Sequence, residues 1–280
     1  MWNPEADRVK IDLHVHTTAS DGAWAPGDVV RAAAAGGLDV LAIADHDTTS
    51  ACEEAVRLGA GLQLQVIPAI EVSSTFGTHD IHVLGYFVDP SASALREHER
   101  AARTRREARM HEMLDKLKGL GYDVPFEAVE RAAGPDRVSL GRPHLAQALV
   151  EAGHVPTMAA AFDSLIADGG PAFVPTHMLT PMGAIEVILD AGGLPVWAHP
   201  PGDVIDALLP PMIHAGLRGL EVYRPRNRRD HVLRLEQVCG STGLFPTGGS
   251  DWHGPHGGSA LGDFFVTGDE VSRFLDAGGL

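Results

Sequence analysis

The feature that most constrains this chain is the placement of its histidines and carboxylates, which recur at or just beyond the ends of short apolar runs. Asp12, His14 and His16 close or follow the alternating run at 9–15 (VKIDLHV), and Asp21 stands in the loop behind it. His46 follows the run 40–44, Glu71 follows 64–70, His82 lies within 81–88, and His199 follows 194–198. Asp251 and His253 follow the last run, near 244–247. Between the runs lie segments of helical period, including one that starts near Pro26 and stops at Gly36-Gly37. Others fit 49–58, 181–191, 204–215 and 228–242. A strand-then-helix rhythm of this kind predicts an α/β fold with a mostly parallel sheet, closed or nearly closed into a barrel. In such barrels the strand C-termini share one face, so the scattered groups are expected to converge there.

The rhythm breaks after Asp89-Pro90. A long polar helix over 93–120 is expected, with Ala101, Ala108, Leu114 and Leu117 on its apolar side, followed by helices near 141–152 and 157–168. The expected organisation is a barrel from 1–90 and 176–280, interrupted by a helical substrate-binding subdomain over 91–175.

The chemistry of the groups points to metal. His14 and His16 are two apart and share one face of a strand, where both can grip one ion, and Asp251 with His253 repeats the spacing. Imidazole with carboxylate suits Zn²⁺, Mn²⁺ or Fe²⁺, and a carboxylate such as Glu71 can bridge two ions. The two cysteines, Cys52 and Cys239, are far apart and in no metal-type spacing, so neither a thiolate zinc site nor a disulfide framework is expected. Any one of these histidines alone reads better as a packing residue; their joint placement at strand end after strand end does not. A P-loop and a nucleophile elbow are both missing from the sequence.

The formal net charge of −15 argues against adhesion to duplex nucleic acid. An anionic substrate stays open, because bound cations reverse the local sign of a site. The N-terminal MWNPEADRVK has no signal-peptide character and no apolar stretch is long enough to span a bilayer, so a cytoplasmic protein without a membrane partner is expected.

Several motifs carry a family resemblance. Asp12-Leu13-His14-Val15-His16-Thr17 with Ser20-Asp21-Gly22, then Ala44-Asp45-His46-Asp47-Thr48, resemble the first two motifs of the polymerase and histidinol phosphatase (PHP) domain. Glu71, Ile81-His82-Val83-Leu84-Gly85-Tyr86, Ala198-His199-Pro200 and Gly249-Ser250-Asp251-Trp252-His253 resemble the later ones, in the family's order. The resemblance implies a distorted barrel of seven strands holding two to three divalent ions. It implies a first metal on His14, His16, Glu71 and Asp251, and a second on Glu71, His82 and His199. A third would lie on Asp21, His46 and His253, with Asp12 supporting a ligand histidine from behind. The implied reaction is hydrolysis of a phosphate ester by a metal-bound hydroxide.

The inserted helix carries Arg96, Arg100, Arg103, Arg105, Arg106 and Arg109, and Ser139-Leu140-Gly141-Arg142-Pro143-His144 follows. Most of those arginines read as solvated, but Arg106 and Arg109 share a helix face, and Arg142 sits just before a helix start. His144 reads equally well as packing. The combination resembles the branch of nucleoside 3',5'-bisphosphate phosphatases, some of which trim short RNA from its 5' end. By that resemblance Arg106, Arg109 and Arg142, with His46, would hold the substrate. The basic run 223–229 is as readily a solvated loop as a nucleotide contact. Histidinol-phosphate phosphatase, C–N bond hydrolysis and a non-catalytic metal-binding module are the competing readings.

Overall fold

A computed structural model describes residues 9–134, 139–175, 178–255 and 258–280. The N-terminal stretch 1–8, from which the lack of a signal peptide was read, and the expected boundary at 176 lie outside them. The barrel is laid down as β1 (Lys10–Val15), α1 (Pro26–Ala35), β2 (Val40–Ile43), α2 (Cys52–Gly61), β3 (Gln65–Phe76) and β4 (His79–Tyr86). After the helical block it resumes with α7 (Pro181–Asp190), β5 (Leu194–Trp197), α8 (Ile205–His214) and β6 (Gly219–Tyr223). It ends with α9 (Arg229–Thr242), β7 (Phe245–Gly248), β8 (Val266–Thr267) and α10 (Ser272–Gly278).

The strand sequences explain their burial. β2 is VLAI with every residue buried, the continuous apolar run expected where a strand is covered on both faces. Strands stand in the order β7-β6-β5-β4-β3-β2-β1-β8. All the neighbours from β1 to β7 are parallel except β4, which runs antiparallel to both β3 and β5. The barrel nearly closes where the segment after β7 meets β1: Asp251 N donates to His14 O at 2.8 Å and His16 N to Trp252 O at 2.9 Å. The eighth strand, β8, was not foreseen; two residues long, it pairs antiparallel with Lys10 and Ile11, at the opposite end of β1 from the histidines.

β3 joins the expected strand 64–70 to the stretch 71–75, which the sequence offers as a hairpin partner for 81–88. Its parallel ladder with β2 ends at Pro68, and it continues as the outer partner of a β3–β4 hairpin in which Glu71 faces Leu84 and Ser73 faces His82. Because β4 runs backwards, it delivers His82 from near its own start to the face where the parallel strands end.

The helical block comprises α3 (Ser93–Gly119), α4 (Phe126–Ala133), α5 (Arg142–Glu151) and α6 (Met158–Ala161), which passes into a single π-helical turn, Phe162–Ile166. It has its own apolar core, in which Met113 and Leu117 of α3 meet Leu145, Leu149 and Ile166. Neither α4 nor α10 was anticipated. The expected face of α3 is met in part: Leu114 and Leu117 are buried as expected, but Ala102, Met110 and Met113 join them with His98 and Arg106, while Ala108 is exposed. A pattern search discounts a stripe that contains a histidine and an arginine, and here both are buried because a carboxylate meets them.

Candidate metal centre

β1 ends with every residue from Ile11 to Val15 buried, so His14 and His16 enter the barrel mouth on one side of the strand, both fully buried. Their approach requires close backbone neighbours without side chains. A Cβ on Gly249 would lie 2.4 Å from the His14 Cβ, and one on Gly22 2.6 Å from the His16 carbonyl.

Around these two rings the acceptors crowd. The Nε2 atoms of His14 and His16 are 3.0 Å apart. Glu71 Oε2 lies 3.3 Å from each, and Asp251 Oδ1 lies 3.5 Å from the first and 3.2 Å from the second. Ligands on a tetrahedral ion at bond lengths of about 2.1 Å stand about 3.4 Å from one another, so this spacing is that of a coordination shell. The other oxygen of Glu71 has His82 Nδ1 at 3.0 Å and His199 Nε2 at 3.1 Å. His46 Nδ1 sits 3.0 Å from Glu71 Oε2. Asp21 Oδ1 lies 3.3 Å from His253 Nε2 and 3.7 Å from His16 Nδ1, and Asp21 Oδ2 lies 3.8 Å from His46 Nε2.

Every expected metal residue is therefore in one contiguous cluster. Ligand atoms group as His14, His16, Glu71; as His46, Glu71, His82; and as His16, Asp21, His46, His253. His16 and His46 each belong to two groups, which the sequence spacing did not reveal.

Two facts test whether this donor set suits cations. Buried His16 Nδ1, His46 Nδ1, His82 Nδ1 and Glu71 Oε2 have no hydrogen-bond partner among the described residues, although polar atoms at such depth are normally satisfied. The electrostatics agree. Burial alone would neutralise Glu71, Asp21 and Asp251, but the surrounding histidines hold all three well below the usual carboxylate range. Burial also opposes charge on His14, yet Glu221, Glu71 and Asp251 outweigh it and raise the ring well above its ordinary value. His46, where burial dominates, is pushed down to about 3 and stays neutral. Anionic carboxylates packed against imidazoles whose ring nitrogens converge are a set that divalent cations satisfy, by taking the place of the ring protons.

Asp12 supports the ligand histidine His14 through its backbone and not through its ring. Its Oδ1 accepts the backbone N–H of Ser250 at 2.8 Å and of His14 at 3.3 Å, pinning β1 to the segment after β7, and burial pushes it up to about 6. The ring support comes from Glu221 on β6, which the sequence reading missed. Glu221 Oε1 is 2.8 Å from His14 Nδ1, and Oε2 accepts the His199 N–H at 2.8 Å. Fully buried in a strand whose other members are apolar or glycine and tyrosine, it was detectable as the one charge in GLEVY. Arg224 lies against Glu221 at 3.4 Å and pairs with Asp251. Three cluster-bordering residues, Asp47, His199 and Asp251, have left-handed φ values of 55°, 32° and 54°, the kind of backbone strain that gathers at functional sites.

A cavity of about 350 Å³ opens beside the cluster, walled by Asp21, His46, His82 and His199 below and by Arg106, Arg109, Arg142, Phe162 and Met178 above. Arg142 pairs with Asp168, and Asp80 lies 3.6 Å from it. Arg109 donates from Nε to Val174 O at 2.8 Å, while its buried Nη2 has no partner among the described residues. The guanidinium carbons of Arg109 and Arg142 lie 5.6 and 5.4 Å from the ring centre of Phe173. His144 has a structural use: its Nδ1 accepts the Gly141 N–H at 2.9 Å, at the start of α5.

The arrangement matches known proteins. The PHP domain profile matches residues 12–165. The chain is 32% identical to a 3',5'-nucleoside bisphosphate phosphatase of Chromobacterium violaceum, over 90% of both chains. It is 36% identical to a phosphoribosyl 1,2-cyclic phosphate 1,2-diphosphodiesterase of Eggerthella lenta, over 88% of this chain and 95% of the other. Among solved structures, one from Bifidobacterium adolescentis assigned as a metal-dependent phosphoesterase superposes with a TM-score of 0.84 at 30% identity, covering 95% of each chain. No helix among the described residues is long and apolar enough to cross a membrane.

Proposed function

The chain belongs to the PHP domain family and is a metal-dependent phosphoesterase, and from that premise we propose that it removes a phosphate from a small nucleotide, a nucleoside 3',5'-bisphosphate foremost. The observation that carries this reading is the buried Nη2 of Arg109, without a partner among the described residues, in the wall of the cavity that adjoins the cluster. Burial and the Arg142 guanidinium push Arg109 down to about 10, so it stays charged at neutral pH beside a second cation. Two guanidiniums held against one aromatic ring, one with an open donor, form a receptor for a phosphate that is not the one being cleaved. A cavity of about 350 Å³ is of mononucleotide size.

In this reading His14, His16, Glu71 and Asp251 hold one ion, and Glu71, His82 and His199 a second, with Asp21, His46 and His253 for a third. Zn²⁺, Mn²⁺ and Fe²⁺ all suit these ligands. Divalent cations, when bound, supply charge neutralisation at the phosphoryl oxygens and acidify water. The protein's own work is orientation. Glu221 would keep the Nδ1 proton of His14 when a cation takes the place of the one on Nε2, and so holds Nε2 facing the cluster. Glu71 turns one oxygen to each half of the cluster. Arg109 and Arg142 hold the distal phosphate, and Phe162 and Met178 give the nucleoside an apolar wall. The block 91–175 then serves as the substrate-binding subdomain over a barrel of 1–90 and 176–280.

The test is phosphate release with added Mn²⁺ from a panel of adenosine 3',5'-bisphosphate, AMP, histidinol phosphate, a 5'-phosphorylated RNA oligomer and a ribose 1,2-cyclic phosphate ester. Preference for the bisphosphate is the expected result, with the RNA end second. A preference for the cyclic ester would place the chain's chemistry with the Eggerthella lenta relative, and preference for histidinol phosphate would discard the arginine receptor.

A further inference from the structure

Arg106 also lines the cavity, but most of its donors are already used. A guanidinium has five N–H donors. The Nε–H goes to Asp47 Oδ2 at 2.9 Å, and Nη2 serves both Asp47 Oδ2 and, at 2.7 Å, Ser73 Oγ. From Nη1 one more reaches Leu140 O at 3.4 Å. That leaves one donor without a partner among the described residues, too few for the two-pronged grip that makes arginine a phosphate receptor.

Asp47 is equally committed. It is buried, with Oδ1 accepting from His98 Nε2 at 2.8 Å and from the Ser73 N–H at 2.8 Å. The Arg106 guanidinium and His98 hold its carboxyl well below the usual range against the pull of burial. Its φ of 55° is strained for a residue with a side chain, and four charge-assisted bonds offset that strain. Two residues after Asp47, Thr49 donates from N and Oγ1 to Glu99 of α3 at 2.6 and 2.9 Å. The loop after β2, which carries His46, is thus tied to α3 at His98, Glu99 and Arg106.

The geometry points to Asp47 as a positioning residue for substrate specificity: with His98 it locks Arg106 as a strut that fixes the height of α3 above the cluster. Arg109 lies three residues on, about 4.5 Å further along the same helix face, and the contact with Leu140 O passes the same constraint to Arg142. On this assignment Asp47, His98 and Arg106 set the gap between the two phosphates that the enzyme accepts, and Arg109 and Arg142 alone touch the distal one. The inference rests on the proposed bisphosphate reading.

The deciding variant is Asp47→Asn, because the two accounts differ in sign. If the loop's charge acted only through the field, removing an anion near the cavity would tighten an anionic substrate and lower KM. If Asp47 is the lock, KM for adenosine 3',5'-bisphosphate rises roughly tenfold while kcat and KM for p-nitrophenyl phosphate, which has no distal phosphate, change less than about twofold. Bound metal, measured by emission spectroscopy, stays at the wild-type ratio. His98→Ala is expected to show the same split in smaller degree and His98→Gln, which keeps a donor, to restore it; these two variants decide the matter if Asp47→Asn does not fold. Arg106→Lys, with the charge kept and the fork lost, should behave as Asp47→Asn. An unchanged or lowered bisphosphate KM in Asp47→Asn or, failing that, in His98→Ala overturns the strut while leaving the receptor intact, provided that Arg109→Ala still raises that KM. If Arg109→Ala has no effect on it, the receptor reading fails first and the strut falls with it.

Discussion

Glu221 and His14 are 207 residues apart in sequence and share a fully buried 2.8 Å contact. It joins β6 to β1 across the barrel mouth and decides which nitrogen of His14 faces the cluster. The same carboxylate, through its second oxygen, fixes the backbone at His199, so one side chain sets two strand ends at once.

Glu221→Ala therefore loosens His14 and leaves the His199 N–H without its acceptor. Loss of such a supporting carboxylate typically costs about 10–100-fold in metal affinity or activity. Competition with a chromophoric chelator should show that drop. Affinity within twofold of wild type would mean that Glu221 is structural only.

Chelation should abolish phosphate release, and added Mn²⁺ should restore it. In His82→Ala the far-ultraviolet circular dichroism should be retained while turnover falls by at least about 10³-fold, the scale for losing an electrostatic contributor of this kind. Full activity in that variant would overturn the ligand set, since His82 holds one side of Glu71.

Arg142→Ala should raise KM several-fold for the bisphosphate and barely alter it for p-nitrophenyl phosphate, as expected for a contact with a remote group that does not change during reaction. Equal effects on both substrates would remove Arg142 from recognition. Its partners Asp80 and Asp168 would then be simple surface pairing.

Gly249→Ala places a Cβ 2.4 Å from that of His14, a contact that backbone must move to relieve. Overpacking of this kind costs about 1–3 kcal/mol, and it falls on a ligand. A lowered melting temperature together with weaker metal binding is expected. A stable variant with normal metal content would show that the β1–β7 seam is more pliant than its geometry indicates.

Burial pushes the thiol of Cys52 up to about 12 and that of Cys239 to about 11. Both stay protonated at neutral pH, so neither should react with a disulfide reagent until the protein unfolds. Because the folded pKa is raised, their contribution to stability is full below the ordinary thiol value and is lost as pH rises through the folded one. Rapid labelling of native protein at pH 7.5 would contradict this.

Periodicity and spacing disclosed a good deal. The run VKIDLHV told both that β1 is a strand and that His14 and His16 share its face, because side-chain direction in a strand follows from counting by two. VLAI, buried throughout, announced a covered strand. The long polar stretch after Pro90 announced α3, although its buried face was misjudged, since Arg106 and His98 count as surface residues until the partner that pays their desolvation is known.

The sequence by itself thus determined the order of the barrel strands β1–β7 with the helices between them, though not α4, β8 or α10, and which side chains arrive at strand ends, since these follow from local backbone geometry and burial. Only the tertiary structure decided the pairings. It set Glu221 behind the His14 ring and Asp12 behind its backbone, placed His16 and His46 each in two ligand groups, and committed Arg106 to Asp47 while leaving Arg109 Nη2 without a partner among the described residues. Those outcomes depend on distances of a few ångströms between segments far apart in the chain, and periodicity reports which face is buried but never what it is buried against.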